Sequence, residues 1–90
     1  MEVTVVYCGH EITLARPISQ MYLSIDGKKC DSVEGIFKKD RDAVLTGTLV
    51  LESGEEVEIK VEYKSGGLEH ILGTAIFYAN GVKFDSRKTS

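Results

Sequence analysis

Four side chains in this sequence are of the types that bind zinc: Cys8, His10, Cys30 and His70. Structural zinc sites draw such ligands in spaced pairs, Cys-x2–4-Cys and His-x3–5-His. Neither spacing occurs, and Cys8-Gly9-His10 is tighter than ligand pairs normally are. The expectation is no metal and no cofactor, with two buried thiols and two histidines in surface turns. Cys8 beside His10 or His70 also has the makings of a nucleophile and its base. Activating a thiol needs a nearby cation or helix N-terminus, and a cysteine within a strand is usually inert. The sequence holds no serine-hydrolase or phosphate-loop motif, and Gly66, Gly67 and Gly73 do not form a glycine loop that opens a helix.

The largest charged feature is an acidic row, Glu52, Glu55, Glu56, Glu58 and Glu62, diluted by Lys60 and Lys64. It has two readings. These five side chains form a contact for a basic protein partner or imitate nucleic-acid charge. Otherwise they are a solvated outer face whose charges resist edge-to-edge aggregation, which is the commoner case. The opposite charges Lys38, Lys39 and Arg41 alternate with Asp40 and Asp42, so their local sum is too small to hold phosphate. Nucleic-acid binding generally needs a basic face, whereas the chain carries a net charge of −3. Tyr7, Tyr22, Tyr63 and Tyr78 fall in strand-like runs without the basic company that a base-stacking surface wants. Nucleic acid is therefore not expected as a partner.

The elements that must carry these residues are strands. Val3 to Cys8 is rich in β-branched residues and reads as a strand buried on much of both faces, turning at Gly9-His10 into Glu11 to Ala15. Pro17 breaks the ladder or marks an edge. Gln20 to Ile25 puts Met21, Leu23 and Ile25 on one face, and Asp26-Gly27 joins it to Lys28–Val33 as a type I′ hairpin. Glu34 to Asp42 reads as a loop, with room for one helical turn, that tucks Phe37 into the core. Val44 to Glu52 alternates, Ser53-Gly54 turns, and Glu55 to Tyr63 alternates strictly: Val57, Ile59, Val61 and Tyr63 face one way and Glu56, Glu58, Lys60 and Glu62 the other. Leu68 to Leu72 is a single helical turn or a strand start. Thr74 to Ala79 reads as a central strand buried on both faces, in preference to an edge that pairs with another chain, and Asn80-Gly81 turns it into Val82–Asp85.

The two Asx-Gly hairpins resemble each other. Ile25 to Ser32 matches Ala79 to Ser86 at an offset of 54, with Gly, Lys, Asp and Ser in register, and at that offset Val3 also meets Val57 and Leu23 meets Phe77. This is a duplicated unit with pseudo-twofold symmetry, or convergence on a common turn chemistry. The shared Asp31 and Asp85 are expected to cap strand ends rather than to bind metal. The apolar strand followed by Asp-Gly-Lys resembles hairpins in the β-sandwiches of the Fas apoptosis inhibitory molecule family. The likeness spans only the hairpin of each half, and no functional residue is carried over from it.

The fold expected is all-β: an antiparallel β-sandwich or flattened barrel of roughly seven or eight short strands. One domain is expected over residues 1–86, with 87–90 a frayed C-terminal tail. The expected core is Val3, Val5, Leu14, Leu23, Ile25, Leu49, Leu51, Val57, Ile59, Val61, Ile76, Phe77 and Phe84. A hydrophobic share of 42% with 28% charged residues suits a folded soluble domain. No apolar run approaches the roughly 18 residues of a membrane span. The N-terminal run carries Glu2 and lacks a basic segment, so it reads as a strand rather than a signal peptide, and a cytoplasmic location follows as the expectation. Two cysteines are too few for a disulfide scaffold, so both are expected as thiols, with a bridge the minority reading.

A chain of 90 residues buries roughly 60–65% of the surface it exposes when unfolded, which leaves little room for a catalytic cleft. Together these readings point to a small non-catalytic protein-interaction module. Inhibitors encoded by phage or mobile elements often have this compact acidic form. The alternatives are a self-associating assembly subunit, with a homodimer through an edge strand, and a small thiol-dependent enzyme.

Overall fold

The computed structural model describes residues 2–17, 20–34, 42–64 and 73–89. They form eight strands: β1 (Glu2–Tyr7), β2 (His10–Ala15), β3 (Gln20–Ile25), β4 (Lys28–Glu34), β5 (Ala43–Val50), β6 (Glu56–Lys64), β7 (Gly73–Ala79) and β8 (Val82–Thr89). Each half of the chain makes one four-stranded antiparallel sheet, β1-β2-β3-β4 and β5-β6-β7-β8, and the two sheets pack face to face. The fold is a small β-sandwich. Among the described residues no helix is long and apolar enough to cross a membrane. The expected loop around Phe37 and the Leu68–Leu72 turn lie outside the described residues, except that Glu34 ends β4 opposite Gln20.

The turns follow from the residues that tolerate positive φ. Asp26 and Gly27 (φ 52° and 83°) and Asn80 and Gly81 (φ 49° and 82°) make the two expected type I′ turns. A third joins β1 to β2 through Cys8 and Gly9 (φ 51° and 82°), so the turn sits one residue earlier than Gly9-His10, and His10 already belongs to β2. Cysteine is unusual there, since side chains other than Asn, Asp and Gly rarely adopt this conformation. The β5–β6 connection closes differently: Gly54 N donates to Leu51 O and Leu51 N to Glu55 O, both at 2.8 Å, with Gly54 at φ 90°.

Alternation sends one row of each strand inward. Val5, Ile12, Leu14, Met21, Leu23 and Ile25 from the first sheet meet Leu45, Leu49, Val57, Ile59, Val61, Tyr63 and Phe77 from the second. Burying each such side chain contributes about 1.5–3 kcal/mol. Val3, Leu51 and Phe84 are half-buried against this core. Ile76, expected within it, instead points to the outer face of β7, because Ala75 and Phe77 take the inward positions. β7 is central, as expected, but buried on one face only. Likewise β1 is a sheet edge with only one buried face, and Val6 is 63% exposed.

Of the anticipated frayed tail, Ser90 lies outside the described residues and the rest is strand. Arg87 to Thr89 continue β8, pairing with Ala75, Thr74 and Gly73. Thr89 is buried, and its Oγ1 accepts the Gly73 N–H at 3.1 Å.

The internal likeness extends to the whole path. Both second hairpins carry a bulge at the same place: the register slips between Leu23 and Ser24, and between Phe77 and Tyr78. The contacts between sheets also correspond, β4 lying against β5 and β1 against β8. Exchanging the halves turns one contact into the other. Topology nevertheless equates β1 with β5, so the match of Val3 to Val57 at an offset of 54 is incidental.

Candidate functional site

The acidic row is carried by the β5–β6 hairpin. Glu52 and Glu55 lie in its connection, and Glu56 and Glu58 project from the outer face of β6; all four are exposed. Among the described residues, none of these four carboxylates pairs with a cation. Glu62 belongs elsewhere. It is half-buried and accepts the Tyr78 hydroxyl at 2.7 Å, with Lys60 Nζ at 4.0 Å. Lys60 also sits 4.6 Å from the centre of the Tyr78 ring. The hydrogen bond to Glu62 favours the protonated phenol and raises the Tyr78 pKa above its ordinary value. Strand geometry sets Glu62 about 13 Å from Glu58. The five expected contact residues therefore divide into an open group of four and a tied-down fifth.

The thiols are not buried. Cys8 is exposed in its turn, Cys30 is exposed on β4, and both are free. His70 lies outside the described residues, as do Lys38, Lys39, Arg41 and Gly66-Gly67. Among the described residues no group of His, Cys, Asp and Glu is assembled to hold a metal ion.

His10 has a partner that spacing alone did not suggest. Its Nδ1–H donates to Asp26 Oδ2 at 2.6 Å. Asp26 Oδ1 accepts the Glu11 N–H at 2.9 Å, and its own N–H donates to Glu11 O at 2.8 Å. These bonds favour the carboxylate and lower the Asp26 pKa below its ordinary value, the His10 contact contributing most. The second half repeats the clamp without a histidine: Asn80 Oδ1 accepts the Glu58 N–H at 2.9 Å, and Asn80 N–H donates to Glu58 O at 2.8 Å. The Asx of each Asx-Gly turn therefore grips a main-chain site on the neighbouring strand. The signal in sequence was the recurrence of Asx with an oxygen in its side chain, beyond its tolerance of positive φ.

Asp31 and Asp85 do not cap strand ends as expected: each lies within its strand, β4 or β8, next to the bulge. Each Oδ1 accepts the N–H of the following serine at 2.8 Å. They differ in the second oxygen. Asp31 Oδ2 reaches across to the other sheet and accepts the Thr46 N–H at 2.9 Å, whereas Asp85 Oδ2 faces Arg87 Nη2 at 3.3 Å.

The outer face of the first sheet holds an open depression of about 610 Å³, lined in part by Thr4, Thr13, Ser24, Tyr22 and Lys29. Thr4, Thr13, Ser24 and Lys29 form one row across all four strands, and the Thr4 and Thr13 hydroxyls share a hydrogen bond at 2.9 Å. The corresponding row of the second sheet is Thr46, Lys60, Tyr78 and Lys83. Its two central positions carry the larger Lys60 and Tyr78 in place of Thr13 and Ser24.

No protein-family model, no curated protein and no solved structure matches this chain.

Proposed function

We propose that this protein is a non-catalytic interaction module that binds a basic surface of another protein through the open acids of the β5–β6 end. The observation that supports this reading is the group Glu52, Glu55, Glu56 and Glu58, exposed together without a cationic partner among the described residues. Crowding like charges costs folding stability and is recovered when an oppositely charged surface docks. Size and acidity suit an inhibitor of the kind that phage and mobile elements encode. The test is capture of partners from the native host by the wild-type protein and by the Glu56→Lys, Glu58→Lys double variant. Capture that weakens with salt and disappears in the variant is expected; capture that survives the charge reversal overturns the reading.

A second reading rests on a separate observation. The His10–Asp26 hydrogen bond resembles the orienter of a base beside a nucleophile, with Cys8 two residues away. A thiol-dependent activity that persists in a Cys8→Ala, His10→Ala variant dismisses it.

A further inference from the structure

Each sheet of the sandwich has two edge strands, and an edge presents unpaired N–H and C=O groups to which another chain can add. Three of the four edges are blunted. β4 carries Lys28 and Lys29 and the bulge opposite Leu23 and Ser24. β8 carries Lys83, Arg87 and Lys88 and the matching bulge. β5 is free of charge and bulge, but Asp31 covers its edge by accepting the Thr46 N–H. β1 differs from all three. Its register against β2 is continuous, Val3 to Tyr7 carry no charge, and the aspartate equivalent to Asp31 turns to Arg87 instead.

The direction of the β1 main chain is fixed by its turn. Tyr7 and His10 flank a two-residue loop and so exchange ladder bonds with each other. Alternation then directs the N–H and C=O of Glu2, Thr4 and Val6 at the outer edge, where no strand pairs with β1 among the described residues. Thr46, which stands where Thr4 stands in the other half, confirms the phase, since its N–H points away from β6 toward Asp31.

We propose that β1 is a self-association edge, at which two copies of this chain pair β1 with β1 antiparallel across a twofold axis. Identical strands satisfy such an axis by construction. A register centred on Thr4 sets Thr4 opposite Thr4 of the second copy, Glu2 opposite Val6 and Val3 opposite Val5. No carboxylate then faces a carboxylate, and the exposed Val6 side chain gains a neighbour. The first sheets of the two copies become one continuous sheet, with their polar depressions on one face.

Sedimentation velocity over a concentration series tests this. Wild-type protein is expected to shift from monomer to dimer as concentration rises. Thr4→Pro removes only an outward N–H, a position at which an edge strand tolerates proline, and is expected to hold the protein monomeric. Thr4→Lys and Thr4→Glu each set like charges opposite one another and are expected to be monomeric alone, yet to form a dimer when mixed. Thr46→Lys, on the covered edge, is expected to dimerise as wild type does. A wild-type monomer at every concentration overturns the proposal, as does a dimer that persists in the Thr4 variants. Glu56→Lys with Glu58→Lys lies on the other sheet, so loss of capture there and loss of dimer here are separate results.

Discussion

The two halves share a four-strand path, a bulge and an Asx clamp, yet they close their common corners with different chemistry. Where β4 meets β5, the bulge residue is Cys30, and it packs on Gly47: a Cβ added to that glycine would stand 3.0 Å from Cys30 Cβ. Where β1 meets β8, the bulge residue is Phe84, and its ring lies 4.8 Å from that of Tyr7. One corner is drawn tight by small side chains and by the hydrogen bond that the Thr46 N–H donates to Asp31. The other is propped by two aromatic rings. A repeated backbone plan is thus compatible with unlike seams, and at the tight one an outward N–H of β5 is taken by the other sheet.

The largest expected effect probes what the halves have in common. Leu23 and Phe77 sit at equivalent bulge positions and are fully buried. Leu23→Ala should cost about 2–5 kcal/mol and Phe77→Ala about 3–5 kcal/mol, read by urea unfolding. A cost below about 1 kcal/mol at either would break the equivalence. The tight corner comes next. Gly47→Ala should cost about 1–3 kcal/mol by overpacking, and adding Cys30→Gly, which removes the Cβ that the new methyl would meet, should return part of it. If the two effects are additive, the seam does not rest on that contact. Asp31→Ala should then cost about 1–2 kcal/mol and Asp85→Ala less, because only Asp31 holds a main-chain donor of the other sheet.

Smaller effects separate the clamps. The lowered pKa of Asp26 means that its ionised form is favoured by folding. That stabilisation is full above the ordinary value of 3.8 and is lost as pH falls below it, through the folded value. Asp26→Asn keeps an Oδ1 acceptor, as Asn80 does, and should flatten this acid limb in a pH series of unfolding midpoints. An unchanged limb would place the effect on other carboxylates. Smallest is Cys8→Asn, which should stabilise by about 0.5–1 kcal/mol because Asn accepts positive φ more readily. A loss of stability would mean that the thiol makes a contact worth keeping.

Much of the fold was legible because strand alternation reports one buried face. Val57, Ile59 and Val61 could point only one way once Glu56, Glu58 and Glu62 took the other. The Asx-Gly pairs located two turns for the same local reason. What alternation cannot report is which strand lies at an edge. β1 is nearly as apolar as a central strand, so its sequence reads as buried on both sides. Ile76 reads as core because both of its neighbours on β7 are also apolar. Cys8 hid a type I′ turn, since the usual residue there is Asn, Asp or Gly. The candidate site was legible as a composition but not as a geometry. Glu62 shares the face of Glu56 and Glu58, and only the cross-strand register shows Tyr78 reaching it. The His10–Asp26 pair joins the first residue of β2 to the β3–β4 turn, and nothing local announces it.

Each sheet is a meander of consecutive strands, and this has a kinetic consequence. Every ladder can close by a short hairpin, an event of about 1–10 μs, without waiting for distant chain segments. Joining the two sheets is then the step expected to be slow, since it rests on apolar side chains rather than on main-chain pairing. Stopped-flow refolding should accordingly show Phe77→Ala slowing the forward rate, while Asp26→Asn acts mainly on the reverse one.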